Sequence, residues 1–265
     1  MSAATIEQAS ANLLSGFSRL ETVTSTIRSA MLNEHRRIEE NLRVSTANGR
    51  GDLRISGHSM SYRNIDTGAP VFYDFTERGF DEVREDLISY RNKQYQWVLV
   101  EAFELFETFT STAYAACKTW LPVENIPKDE RGLSAKLNAL RQTCPRLVMR
   151  ETRNARNMNY RSAIALIELF RHIIVHRGGW IQNEARFIGK LRSLVQKNNS
   201  GAADQIIEKD SRFFLYPGSH GIEVYLLERP DRGSDHVFTD RLDTLLGWLL
   251  SYSDCLKTEL VLKSS

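Results

Sequence analysis

The chain has 265 residues, 42% of them hydrophobic and 26% charged, with a formal net charge of +2. This is the composition of a soluble globular protein with a core of normal size, in one large domain or one domain with an extension. A charge of +2 is too small to indicate nucleic acid by itself, and no window approaches the roughly 18 uninterrupted apolar residues of a membrane span, so no membrane is expected. The start, MSAATIEQASANLL, lacks the basic residues and apolar run of a secretory signal. Cys117, Cys144 and Cys255 are far apart and form no CxxC pair. They read as free thiols in a reducing, cytoplasmic compartment, which argues against a disulfide scaffold or a zinc site.

Residues from about 4 to 45 read as one helix. Ile6, Leu13, Leu14, Phe17, Leu20, Val23, Ile27, Met31 and Leu32 recur at three- and four-residue steps, and Ala47-Asn48-Gly49-Arg50-Gly51 stops them. This single stripe must pack on the main body, on another subunit or on another protein. Residues 52–75, with glycine, proline and short β-prone runs, predict a small hairpin or β-rich loop. The acidic patch Asp74, Glu77, Asp81, Glu82, Glu85 and Asp86 opens the next helix, where carboxylates suit the dipole. That helix covers about 80–120 and ends at Pro122. Residues 121–162, with Pro122, Pro127 and Pro145, read as irregular or broken helix. The most apolar helix follows at about 160–177, with Gly178-Gly179 as its stop. Further helices are expected at 184–197 and about 240–262, and a hairpin over 212–227 turning at Pro217-Gly218. There is no internal repeat.

The 160–177 helix carries the chemistry. Ile164, Leu166, Ile167, Leu169, Phe170, Ile173, Ile174 and Val175 cover most of its circumference, which predicts burial on nearly every side. With Glu168 at zero and about 100° per residue, Arg161, Arg171, His172 and His176 fall at about +20°, −60°, +40° and +80°. Buried polar groups must be paired or line a wet cavity, so this arc predicts a cleft or a subunit interface. Arg171 and His176, about 7.5 Å apart along the axis, can both reach one phosphate-sized group. A histidine can give or take a proton near neutrality, and an arginine can hold a phosphate by paired hydrogen bonds. Alternatively, Glu168 satisfies Arg171 and His172 through ordinary i, i+3 and i, i+4 ion pairs.

Arg171-His172-Ile173-Ile174-Val175-His176, followed by Arg177-Gly178-Gly179, resembles the RxxxxH motif of the HEPN superfamily, with His172 where the usual form has asparagine. The resemblance covers about 80–262, between a long preceding helix and a following one. It implies a mainly α fold, a HEPN-like bundle of four to five helices over 80–265. An N-terminal helical extension (1–48) and a β/loop connector (49–79) would precede it, with small β-hairpin elements besides. It also implies a homodimer through the 160–177 helix, whose facing motifs make a metal-independent endoribonuclease site. Arg171 would be the phosphate clamp and His176 the acid/base. The RNA's own 2′-hydroxyl would attack, leaving a 2′,3′-cyclic phosphate. Family association suggests a toxin or antiphage defence effector.

Residues 131–161 hold eight basic side chains and one acid, Glu151. Within this stretch and just beyond it, Arg150, Arg153, Arg156, Arg161 and Arg177 suit an RNA backbone. A solvated basic face balanced by the 74–86 acids is the alternative. Glu101, Glu104 and Glu107 are spaced three apart; Glu104 is the candidate to orient the Arg171 stripe, although such spacing also describes a solvated face. His172 and His176 have metal-pair spacing but no third ligand, and His35, His58, His220 and His236 have none, so no metal and no cofactor is expected. A non-catalytic HEPN-like module binding a partner protein or nucleic acid, with the N-terminal helix as docking arm, is the second reading. A purely structural helical protein is the third.

Overall fold

The computed structural model describes residues 2–49, 61–72, 79–118, 126, 132–196, 211–218, 221–230 and 238–264. His58, Asp74, Glu77, Pro122, Pro127, Arg131, His220 and His236, considered above, lie outside them. The described chain is mainly helical: α1 (Ser2–Ala47), α2 (Phe80–Cys117), α3 (Leu133–Thr143), α4 (Pro145–Thr152), α5 (Tyr160–Arg177), α6 (Glu184–Gln196) and α7 (Arg241–Ser264). The strands are β1 (Ser61–Arg63), β2 (Pro70–Phe72), β3 (Trp180–Ile181), β4 (Leu215–Gly218), β5 (Gly221–Val224), β6 (Arg229–Pro230) and β7 (Phe238–Thr239). Two compact units result, Met1–Thr24 with Gln94–Ser265, and Ser25–Lys93. Their boundaries fall inside α1 and α2.

In the smaller unit, β1 and β2 form an antiparallel hairpin with Ser61 opposite Phe72. Its turn is built by Asn64, whose side-chain oxygen accepts from the Asp66 and Thr67 N–H groups at 2.9 and 3.0 Å. Gly68 completes it at φ +67, a conformation glycine adopts without strain. At the start of α2, Glu82 reaches back to the Gly79 N–H at 3.0 Å, satisfying a donor the helix cannot.

In the larger unit, α2 supplies Leu99, Phe103, Phe106 and Phe109, α5 supplies Ile167 and Phe170, and α7 supplies Leu245, Leu249 and Leu256, all buried. Each such side chain contributes about 1.5–3 kcal/mol. Aromatic contacts join the helices: Tyr252 of α7 lies 6.0 Å from Phe106 and 5.9 Å from Tyr160, and Phe170 stacks on Phe187 of α6 at 6.0 Å. The first half of α1 belongs to this unit, with Ile6, Leu13, Phe17 and Leu20 buried. A Cβ on Gly16 would meet the Leu105 side chain of α2 at 2.6 Å, so that side chain packs directly on the α1 backbone.

The region expected to be irregular or broken helix contains two short helices, α3 and α4. Pro145 stands at the first turn of α4, where its missing N–H has no helical partner to lose, so it starts a helix where the sequence suggested a break. The hairpin expected at 212–227 is β4 and β5, with Gly218 opposite Gly221. A third strand, β3, joins it, pairing Trp180 with Glu223 and giving the order β3-β5-β4.

Candidate functional site

Local chemistry fixes both ends of α5. Asn159 caps the N-terminus by accepting from the Ser162 N–H at 3.3 Å. Gly178, left-handed at φ 58 and ψ 27, ends the helix, and the Gly179 N–H returns to the Ile173 carbonyl at 3.2 Å. Gly179 lies at φ +87, and a Cβ there would sit 2.5 Å from the side-chain nitrogen of Gln96. That Gln96 amide donates to the Val224 carbonyl at 2.7 Å and to Glu223 at 3.2 Å, while the Val224 N–H donates to the Gly179 carbonyl at 2.9 Å. The turn that follows the histidines is thereby fastened to α2 and to β5.

The polar arc of α5 divides in two. At its first turn Arg161 is nearly buried and donates to Glu151 of α4 at 2.5 Å. Ten residues on, about 15 Å along the axis, Arg171 is half-buried with its Nη2 3.8 Å from Glu104 of α2. The buried Arg171 Nε has no hydrogen-bond partner among the described residues. His172, Val175, His176 and Arg177 are exposed. Val175, expected in the core, is 38% exposed, because at about −20° on the wheel it shares the polar arc. The His172 and His176 rings are 4.6 Å apart.

The field differs on the two sides of this arc. Toward α2, burial first and then Glu107 raise the pKa of Glu168, with Arg171 and Lys190 opposing. Toward α6, burial first lowers the pKa of His172, followed by the charges of His176, Lys190, Arg177 and Arg171. Between the last turns of α5 and the first turns of α6 lies a pocket of about 160 Å³ lined by His172, Arg177, Arg186, Lys190 and Phe187, among others.

The basic residues of 131–161 have their own geometry. Arg141 and Arg161 both donate to Glu151, which has no exposure at all, and Tyr252 donates a third, short bond to it. Arg146 and Arg150 lie 3.5 and 3.1 Å from the buried Glu259 of α7. Arg153 and Arg156 are exposed on the loop before α5, whose shape Asn154 sets by accepting from Arg156 and Met158 N–H groups and donating to the Arg150 and Met158 carbonyls. Arg161 and His176 are fifteen residues apart on one helix, about 22 Å along its axis.

The chain matches no family model, no curated protein and no solved structure. Geometry therefore carries the functional reading. Arg171, His172, His176 and Arg177 share one end of α5, with Glu168 and Glu104 beside Arg171, while Arg150, Arg153, Arg156 and Arg161 sit around the other end. Among the described residues no group of three or more His, Cys, Asp and Glu is placed to hold a metal ion, and no helix is long and apolar enough to cross a membrane. Arg186 and Lys190 were not singled out from sequence. Their i, i+4 spacing on a recognised helix was the available signal.

Proposed function

We propose that the chain is a metal-independent endoribonuclease of HEPN type, built on a HEPN-like bundle and acting as a homodimer through α5. One observation supports it most. Arg171 sits half-buried with an unpartnered Nε, on the same exposed helix end as two histidines, immediately before a glycine turn held in place by α2 and the sheet. The Nε itself is buried, so the Nη groups of the half-exposed guanidinium are the donors within reach of a phosphate oxygen. Arg171 is the clamp and His176 the acid/base, with Glu104, Glu168 and His172 positioning them. A neutral histidine takes the proton of the substrate 2′-hydroxyl as that oxygen attacks phosphorus, the P–O5′ bond breaks, and a protonated histidine gives its proton to the leaving O5′, leaving a 2′,3′-cyclic phosphate. Arg153, Arg156 and Arg177 are the exposed contacts for the RNA backbone, with Arg150 shared with Glu259 and Arg161 held by Glu151. A toxin or antiphage role in the cytoplasm is in keeping with this activity.

A non-catalytic module that binds a partner protein or nucleic acid is the second reading. It is favoured by Glu104, which already faces Arg171, and by the exposure of Trp97 and Val175. Incubating purified protein with mixed RNA in excess chelator separates the two. Catalysis predicts chelator-resistant cleavage that Arg171→Ala and His176→Ala each reduce by about 10²- to 10⁴-fold, with melting temperatures unchanged. Equal cleavage by the variants sinks the site assignment, and absence of cleavage favours the binding module.

A further inference from the structure

The α5–α6 pocket has an unusual charge balance. Arg177 comes from the last turn of α5, Arg186 and Lys190 from successive turns of α6, and His172 closes the edge next to His176. No carboxylate is among its lining residues. Among the described residues, Arg177, Arg186 and Lys190 have no ion pair within 4.0 Å. The nearest acid in sequence, Glu184, lies 3.7 Å from Arg212 instead. Asn183 opens α6 and accepts from the Arg186 N–H at 2.9 Å, so the positive end of that helix dipole also lies at the pocket. Lys190 feels the Glu168 carboxylate, but no carboxylate lines the pocket; the cations that converge on this small concavity repel one another, and an anion there relieves that repulsion. Arginine and lysine together suit phosphate oxygens better than a carboxylate of the protein's own surface, since both can donate several bonds to one tetrahedral group.

We propose that this pocket is a phosphate-binding subsite, with Lys190 and Arg186 holding the oxygens and Arg177 covering them, and that its occupant is a backbone phosphate of a single strand. The identity of the strand as substrate rests on the ribonuclease reading; phosphate binding itself does not. On the α5 wheel, the residues lining the pocket centre near +115°, nearly opposite Arg171, with His172 and His176 between. The two cationic sites thus lie on either side of the histidines, about one helix width, or roughly 10 Å, apart. A strand passing round α5 would place its scissile phosphate on Arg171, beside His176, and a neighbouring phosphate in the pocket.

The test uses the full chain, titrated with inorganic phosphate and, separately, with a 2′-O-methylated tetranucleotide that cannot be cleaved, while the His172 and His176 ring protons are followed by NMR. Lys190→Gln and Arg186→Gln, both at exposed positions, are each expected to weaken both ligands by about tenfold, the loss of one charge-assisted bond. Arg171→Ala should weaken the tetranucleotide, which it clamps, while the Lys190 and Arg186 variants report on the pocket. Thermal melts check that the variants are folded. If the wild type binds no phosphate, or if the Lys190 and Arg186 variants bind as the wild type does, the subsite is refuted. Phosphate binding without tetranucleotide binding refutes the strand as occupant. Binding with no cleavage of unmodified RNA overturns the ribonuclease reading and leaves the subsite standing, so the two failures are distinguishable.

Discussion

Glu151→Gln is the sharpest probe of what holds the larger unit together. The Glu151 carboxylate is fully buried and receives Arg141 Nε at 2.8 and 3.1 Å, Arg161 Nε at 2.5 Å and the Tyr252 hydroxyl. It ties α4 to α3, α5 and α7 at one point. Glutamine keeps the volume and one acceptor oxygen, but sets an amide NH₂ against guanidinium donors and removes the charge. Arg141 and Arg161, with side chains only 10% and 13% exposed, then lose the carboxylate they share. Removing one partner from such a group costs about 3–5 kcal/mol, against a total stability of about 5–15 kcal/mol. At roughly 2–4 °C per kcal/mol, the melting temperature should fall by about 6–20 °C. Circular-dichroism melts and urea titrations measure this. Because the network is dry, the loss should be nearly the same at about 50 and about 500 mM salt. A cycle with Tyr252→Phe should show coupling of at least about 0.5 kcal/mol. A loss below about 1 kcal/mol, or one that disappears in high salt, would refute the assignment of Glu151 as the buried junction.

Gly178→Ala and Gly179→Ala should differ. Both lie at positive φ, which costs an alanine about 1–2 kcal/mol, but a Cβ on Gly178 meets nothing nearer than Trp180 at 4.0 Å whereas one on Gly179 collides with Gln96. Urea denaturation should find Gly179→Ala worse by at least about 1 kcal/mol, since Gln96 must give up its buried bonds; equal losses would contradict the Gln96 latch. Glu168→Gln should stabilise the protein at neutral pH. The folded carboxyl titrates above its ordinary value of 4.5, so the wild type binds more protons folded than unfolded in that window and loses stability as pH rises through it. The melting-temperature gain of the variant should grow from pH 4.5 upward, and a difference independent of pH would be the contrary result.

Patterns internal to one element were legible from sequence. The α5 helix, its glycine stop and α7 follow from apolar spacing and turn residues, and so does the β4–β5 hairpin, although Pro217 and Gly218, expected at its turn, pair with Ile222 and Gly221 as the last residues of β4. The burial-dependent features were not. Glu151 read as one acid diluting eight bases, and only packing makes it the point where two of them end. Strand β3 is two residues long and pairs with residues more than forty positions later, so no local pattern announces it. Pro145 read as a breaker because the sequence cannot tell a first helical turn from an interior one. Glu104 was one of three equivalent glutamates until α2 and α5 met, and the Arg186–Lys190 pair acquires a pocket only through the packing of α6 on α5.

The Gln96 latch also bears on the order of folding. The bond from Gln96 to Val224 joins residues 128 apart in the chain, so closing it carries the entropy of a long loop. Helix α5 can nucleate early from local contacts, but its last turn acquires its final shape only after α2 and the sheet have come together. Substitutions at Gln96, Gly179 and Val224 belong among those that speed unfolding and leave the folding rate nearly unchanged. The histidine-bearing end of the helix is then among the last parts of the molecule to mature, and a partly folded chain would carry the motif without a working site.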